Sequence, residues 1–472
     1  MTEKSNNDAW LSCITLDQVF AMFRDNGVTE ILYKVLPQNA NSKNQVYLGG
    51  KDPSQFARIP TSEMTAHISI SEKSGKQEAV FRADLEFYWL TQEGRLAVAP
   101  NAKLIFYPQY PEVRFSGFLQ GAKNRPSSLW VKEKRGTEPG RILLFGLGNG
   151  RKVIGLTLPP EAPAAAEILA SGPHAIYEIF GILPMPGQEE AEGGFTELMR
   201  RLCRIHNMGF VTSRRLDRSG RVVPCDVSNC NGNTLEALLG VRSNGFSKPD
   251  FMGWEIKARQ VKNAEKPNST VVTLFTPEPT TGVYRDEGFE TFVRRFGYPD
   301  RTGIADRLNF GGVHRTNKPP HHLTGLKLIL DGFNPETGKY LPTGAVLLVN
   351  DKGDVAAGWS FTKLMDHWKE KHAQAAYVPV QQRLSPDRQY RYGRRILLGE
   401  GAEFKLLLEA FNEGKVYYDP GIKLERASTD GAKGKKRSQF RVNSSDLSSL
   451  YQLSRTVDAC SPLDDQVLHL PT

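Results

Sequence analysis

Residues 231–257, NGNTLEALLGVRSNGFSKPDFMGWEIK, limit what this chain can fold into more than any other stretch. Gly253 to Lys257 reads as a strand, and because side chains alternate across a strand, Trp254 and Ile256 share one face while Glu255 and Lys257 share the other. One face therefore needs a core, and the other presents an acid beside an amine. Upstream, the proline in Ser247-Lys248-Pro249-Asp250 stops any helix and puts Asp250 in a short strand or turn that runs antiparallel into the Glu255 strand. Two hard carboxylates beside a backbone carbonyl, that of Ile256, suit Mg2+, which keeps several waters and accepts one or two protein carboxylates. In phosphodiester hydrolysis such a metal polarises the phosphoryl oxygen, while Lys257 orients the attacking water or stabilises developing charge.

A third acid lies in Asn233-Thr234-Leu235-Glu236-Ala237-Leu238-Leu239-Gly240, a short helix with a polar N-cap, a leucine stripe and a glycine stop. Glu236 falls off the stripe and can face the cleft as an accessory acid. Read alone, Pro-Asp followed by Glu-Ile-Lys is a short and degenerate pattern that also fits an ordinary turn and a solvated strand. The Glu236 helix makes it more specific.

Together NGNTLEALLG, PDFMGWEIK and the strand VVTLFTPEPT (271–280) resemble the MvaI/BcnI restriction endonucleases, of the MutH-like branch of the PD-(D/E)XK nucleases, from about residue 195 to 455. The resemblance implies an α/β (α+β) nuclease core in which Asp250 and Glu255 bind Mg2+, Lys257 is the catalytic lysine and Glu236 the accessory acid. It further implies a monomeric type II enzyme that cuts double-stranded DNA at a short GC-rich site, one strand at a time. A cognate DNA methyltransferase is the partner such an enzyme implies. Two other readings remain, a strand-nicking repair nuclease and a DNA-binding regulator with a retired nuclease fold, and the intact acid and lysine set argues against the second.

At 472 residues the chain exceeds the size at which one core stops growing, so two domains are expected: 1–185, a linker at 186–194, and 195–472. The net charge of +9 favours a polyanionic partner without proving one. Five scattered cysteines (Cys13, Cys203, Cys225, Cys230, Cys460) do not look like a disulfide framework, and no apolar run is long enough for a signal peptide or a membrane span, so a cytoplasmic protein with no membrane partner is expected.

Residues 1–185 read as strand-rich, with a helix near 16–24, apolar runs at 30–36, 102–106, 112–119, 128–132, 141–147 and 153–158, and a helix at 161–171. A barrel or DNA-binding pseudobarrel fits, a nuclease of the same catalytic type fused to an EcoRII-type effector domain is a precedent for binding a second DNA site, and an interaction or regulatory module is the alternative. Lys43, Arg114 and Arg125 are the candidate contacts there. In the second half, 282–322 is long, basic and aromatic, and its Val313-His314-Arg315-Thr316 segment reads as a DNA-contacting loop. Residues 421–441 read as a basic hairpin, and the resemblance implies that it enters the major groove with Arg441 to read a guanine and Lys435, Lys436 and Arg437 to meet phosphates, the alternative being a solvated charge run. Histidines that the family carries just before that arginine are here Lys435, Lys436 and Arg437, which leaves the recognition sequence open.

Overall fold

The computed structural model describes residues 8–461 apart from 40–43, 50–55, 57, 71–74, 76, 111, 133–138, 149, 171–175, 178, 184, 187–193, 218, 228, 242–250 and 373. The chain divides into two compact units, Met1–Ala191 and Glu192–Thr472. Asp250, Lys43 and most of the expected linker therefore lie outside the described residues.

The first unit is built from a seven-stranded and a five-stranded sheet. The larger is antiparallel except where Lys152–Leu158 runs parallel to Glu86–Leu90. The two sheets share an aromatic core: Phe115 of the smaller sheet lies 5.1 Å from Phe87 and 5.5 Å from Phe145 of the larger. Large rings dominate because each buries a wide apolar area on one attachment point. Expected strands and helices appear as Val28–Leu36, Lys103–Tyr107, Glu112–Ser116, Arg141–Gly148, Lys152–Leu158, Leu16–Asp25 and Pro163–Ala170. The apolar run at 128–132 is a correction. It closes into the 3-10 turn Ser127–Trp130, because Trp130 is drawn onto Phe118 at 4.7 Å and buried Arg141 donates to the Leu129 carbonyl at 2.6 Å.

In the second unit the organising element is Gln374–Arg383, a strand buried for most of its length. Glu255–Val261 pairs with it in parallel, with Glu255 opposite Ala375 and Lys257 opposite Tyr377. Gln389–Tyr392 and Arg395–Glu400 return antiparallel to it, and Leu453–Asp458 extends the sheet beyond. Among the described residues Glu255–Val261 has no strand on its other side, so it is a sheet edge. The amphipathic helix Gly194–Asn207 buries Leu198, Met199, Leu202 and Ile205 against this sheet, and Arg200 and Arg201 both pair with Glu197 on its outer side. The hairpin Arg214–Leu216 and Val222–Pro224 fills the segment expected to be a loop or hairpin. Smaller sheets follow, including Val271–Phe275 with Phe440–Asn443 and Val416–Tyr418.

The cysteines correct the sequence expectation. Cys203 is bonded to Cys460 across 257 residues, Cys225 is bonded to Cys230, and only Cys13 is a free thiol. Spacing cannot reveal a pair that distant, and it was the fold that brought the helix Gly194–Asn207 beside the end of the last strand.

Gly399 lies opposite Ala375 in the central sheet, and the ring of Tyr451 is stacked over it so closely that a Cβ there would meet ring carbons at 2.4 Å. Tyr451 cannot swing away without losing a 2.7 Å hydrogen bond to Tyr377. Gly399→Ala is expected to destabilise the second unit by about 1–3 kcal/mol, the usual range for overpacking, seen as a lower urea midpoint at unchanged slope. An unchanged midpoint would show that the ring moves freely.

Candidate active site

The site begins at a two-residue turn. Phe251 and Trp254 exchange backbone hydrogen bonds of 3.0 and 2.8 Å, and both residues between them have positive φ, +47° at Met252 and +88° at Gly253. This is the type I′ pattern, whose twist matches that of paired strands. The chain thus turns back on itself at Phe251–Trp254, immediately after position 250 and immediately before Glu255. Trp254 and Ile256 are buried in the core with Leu235, Leu239 and Val378, as alternation requires.

On the opposite face, Glu255 and Lys257 make an ion pair of 3.2 Å with side chains only 7% and 16% exposed. The amine uses Glu255 Oε1. Glu255 Oε2 is buried and has no hydrogen-bond partner among the described residues. A buried carboxylate oxygen without a donor is costly, and a cation is the simplest group to satisfy it. The residues present therefore fit a hard divalent metal. Among the described residues no three His, Cys, Asp or Glu side chains cluster as a metal site, and Asp250, the other expected ligand, lies outside them.

Lys257 Nζ also donates to the carbonyl of Leu274 at 3.4 Å. Pairing with Phe440–Asn443 slips at Leu274, between Thr273 opposite Arg441 and Phe275 opposite Phe440, and such a bulge re-aims one residue out of the ladder. His372 Nε2 reaches the same carbonyl at 3.3 Å, and His372 Nδ1 lies 3.3 Å from the Tyr451 hydroxyl, which meets Tyr377 at 2.7 Å. A carbonyl only accepts, so Nε2 carries a proton. All three side chains are buried. Burial holds the Tyr377 hydroxyl well above its ordinary value, with the Glu255 charge adding to the shift, and burial raises Tyr451 for the same reasons together with its neighbour Tyr377. Both stay neutral hydrogen-bonding groups. This polar chain behind Lys257 was missed from sequence, since residues 257, 274, 372, 377 and 451 carry no shared local pattern.

Glu236 sits half-buried in the helix Cys230–Leu239, which ends in a left-handed Gly240 and packs on the Glu255 strand. Thr234 ties that helix to the hairpin before it, accepting from Arg214 N at 3.1 Å and donating to Arg214 O at 2.9 Å. The Glu236 charge is felt by Tyr392, whose hydroxyl is raised chiefly by burial and next by Tyr390. That hydroxyl donates to Asn231 O at 2.8 Å.

The expected DNA-contacting residues differ in setting. His314 is 2% exposed, bonded through Nδ1 to Gly312 O at 3.0 Å and through Nε2 to Thr324 at 2.9 Å, and its backbone pairs with Tyr418. It is a core residue of this segment. Arg315 stacks over Tyr417 at 4.0 Å and donates to Gly414 O. The basic hairpin pairs Gly421–Glu425 with Lys433–Lys435, and Lys435, Lys436 and Arg437 are exposed with no ion-pair partner among the described residues. Lys436 lies 5.3 Å from the Phe289 ring. Arg441 is held by Asp419 at 2.6 Å. In the first unit, Arg114 pairs with Glu112 and stacks between Tyr47 and Tyr107, while Arg125 donates to Leu119 O at 2.7 Å.

One strand thus presents an acid and a lysine on one face, the acid half unsatisfied among the described residues, and a helix that carries a further acid packs on it. A family model for the MvaI/BcnI restriction endonucleases matches residues 199–451, more than half of the chain, and the chain belongs to that family. No curated protein matches it. Among solved structures, the chain is similar to restriction endonuclease MvaI bound to its cognate DNA substrate, with 18% identity and a TM-score of 0.41 over 56% of this chain and 96% of that one. MvaI in the absence of DNA aligns at 17% identity and a TM-score of 0.32, over 58% and 100% of the two chains.

Burial and the neighbouring His321 lower the His314 pKa to about 4 from an ordinary value near 6.5. A lowered folded-state value means that the unfolded chain binds the proton first, so this contribution is complete above about pH 6.5 and is lost as pH falls toward 4. His314→Gln is expected to flatten the dependence of thermal stability on pH between 6.5 and 4.5, measured as the Tm difference between those two buffers. An unaltered difference would place the acid sensitivity elsewhere.

Proposed function

We propose that the chain is a Mg2+-dependent, sequence-specific endonuclease that hydrolyses both strands of double-stranded DNA at a short, GC-rich site, as a type II enzyme defending a cell against foreign DNA. The observation that carries this reading is the buried Glu255–Lys257 pair with one carboxylate oxygen left without a donor, in a member of a restriction endonuclease family. Asp250, Glu255 and the Ile256 carbonyl would hold the metal. When bound, Mg2+ supplies Lewis-acid polarisation of the scissile phosphoryl group. Lys257, fixed by Glu255 and the Leu274 carbonyl, holds its amine where charge develops, and a positioned cation in a water-poor site is worth far more than in bulk water. Glu236 is the accessory acid. The PD-(D/E)XK assignment, a cytoplasmic location, action as a monomer, and a cognate methyltransferase that shields host DNA belong to the same reading.

The basic hairpin supplies the DNA-binding surface, with Lys435, Lys436 and Arg437 on phosphates and Arg441, aimed by Asp419, on a base edge. The first unit, as a domain from about 1 to 185, is proposed to hold a second copy of the site through Lys43, Arg114 and Arg125.

Asp250→Ala or Lys257→Ala is expected to lower cleavage of unmethylated plasmid DNA in Mg2+ by at least about a hundredfold, on the scale of losing one transition-state contact, while binding in Ca2+ changes little. Cutting at the wild-type rate by either variant would remove that residue from the catalytic set, and nicked circles as the sole product of the wild-type chain would favour the strand-nicking reading. Replacing Lys435 and Lys436 with alanine should weaken binding to every duplex and reduce its salt dependence by about 0.9 per lost phosphate contact, whereas Arg441→Ala should relax sequence choice. Equal losses on all DNA for Arg441→Ala would deny it a base-reading role.

A further inference from the structure

Arg259 follows Glu255 and Lys257 on the same strand with the same parity, so its side chain shares their face, about 6.6 Å beyond Lys257 along the strand. It forms part of the lining of a cleft of about 540 Å³ in the second unit, enclosed also by the loop 266–269, the start of Arg395–Glu400, Thr456 and three serines, Ser444, Ser445 and Ser448. Three of the lining side chains are cations, Arg259, Lys266 and Arg395, and none of the described residues that line it is a carboxylate. Lys266 and Arg395 are exposed and have no ion-pair partner among the described residues.

Arg259 is the floor. One guanidinium nitrogen donates to Asn268 O at 2.6 Å and to Ser444 Oγ at 3.2 Å, which fixes the group in place, while its Nε is buried and has no acceptor among the described residues. Burial pulls this guanidinium below its ordinary pKa, the direction expected where water has been removed and no anion has replaced it. Hydroxyls from the serines and Thr456 and the Asn268 amide supply neutral donors around the cations. A fixed guanidinium, two free cations and a ring of short donors, with no acid to compete, match a tetrahedral oxyanion. The volume is enough for a nucleotide-sized group.

We propose that this cleft is a phosphate-binding site distinct from the Glu255–Lys257 centre, taking either a phosphodiester of the DNA backbone or the phosphate of a free nucleotide. Nothing in it requires the chain to cut DNA, so the test reads binding alone. Full-length wild-type protein is compared with Lys266→Ala/Arg395→Ala, both exposed positions whose truncation leaves the fold intact, and with Arg259→Lys, which keeps charge and removes the forked donor. The first arm is the slope of log affinity against log salt for a duplex in Ca2+. The second is broadening of the phosphorus NMR signals of inorganic phosphate and pyrophosphate by the protein.

Occupancy by the DNA backbone predicts a slope smaller by about 0.9 for each lost contact, so about 1.8 for the double variant. Occupancy by a free nucleotide predicts an unchanged slope and loss of phosphate broadening in both variants. Variants indistinguishable from wild type in both arms, including the case in which wild type binds neither probe, would overturn the proposal. Because neither arm measures cleavage, a chain that fails to cut DNA leaves the outcome readable.

Discussion

The second unit is arranged around a charge held where water does not reach. Glu255 is buried, its one cation among the described residues is Lys257, and Trp254 and Ile256 anchor the same stretch of backbone from the core side. Breaking a buried pair by removing one partner typically costs about 3–5 kcal/mol, since the remaining charge is left uncompensated. The bulge at Leu274 supplies a carbonyl that shares the lysine, and His372, Tyr451 and Tyr377 hold that carbonyl in turn. Each of these groups is satisfied by the next, and among the described residues the open end of the series is Glu255 Oε2. Stability and the proposed chemistry therefore draw on the same contacts. A site that is neutralised completely from within would be more stable and would have no valence left for a ligand.

Within each unit the described cations sort by what already holds them. Arg114, Arg201, Arg307 and Arg441 are committed to carboxylates, whereas Lys435, Lys436, Arg437, Lys266 and Arg395 are exposed without ion-pair partners among the described residues. Exposed cations without an ion-pair partner are the ones most available to a polyanion's phosphates, whereas a carboxylate partner, as Asp419 is to Arg441, fixes the direction in which a guanidinium points. The basic hairpin and the serine-lined cleft each gather such cations.

Much of this was legible from sequence wherever a short-range rule applies. Alternation along Gly253 to Lys257 put the acid and amine on one face and the tryptophan in the core, and the leucine stripe with its glycine stop located the helix that carries Glu236. The basic hairpin followed from two strand-like runs flanking a charged turn. What was not legible is non-local. Cys203 finds Cys460 only after the sheet has formed, His372 bridges Tyr451 and a carbonyl that a bulge exposes, and Asp419 captures Arg441 from just past a neighbouring strand. His314 looked like a DNA contact because it sits in a basic loop, yet a hydrogen bond to Thr324 and a strand-like pairing with Tyr418 draw it inside. At 128–132 an apolar run was read as extended, whereas the demand of Trp130 for a ring partner curled it.

The strand Glu255–Val261 forms the rim of its sheet, with a neighbour on one side only among the described residues. A bare rim is a template onto which another polypeptide can add, and the usual protection is to load it with charge. Here Glu255, Lys257 and Arg259 do that in alternation, with Lys262 just past the end. The residues proposed to handle metal and phosphate thereby also carry the kind of charge that ordinarily keeps such a rim from pairing, so neutralising them would be felt in solubility and aggregation as well as in chemistry.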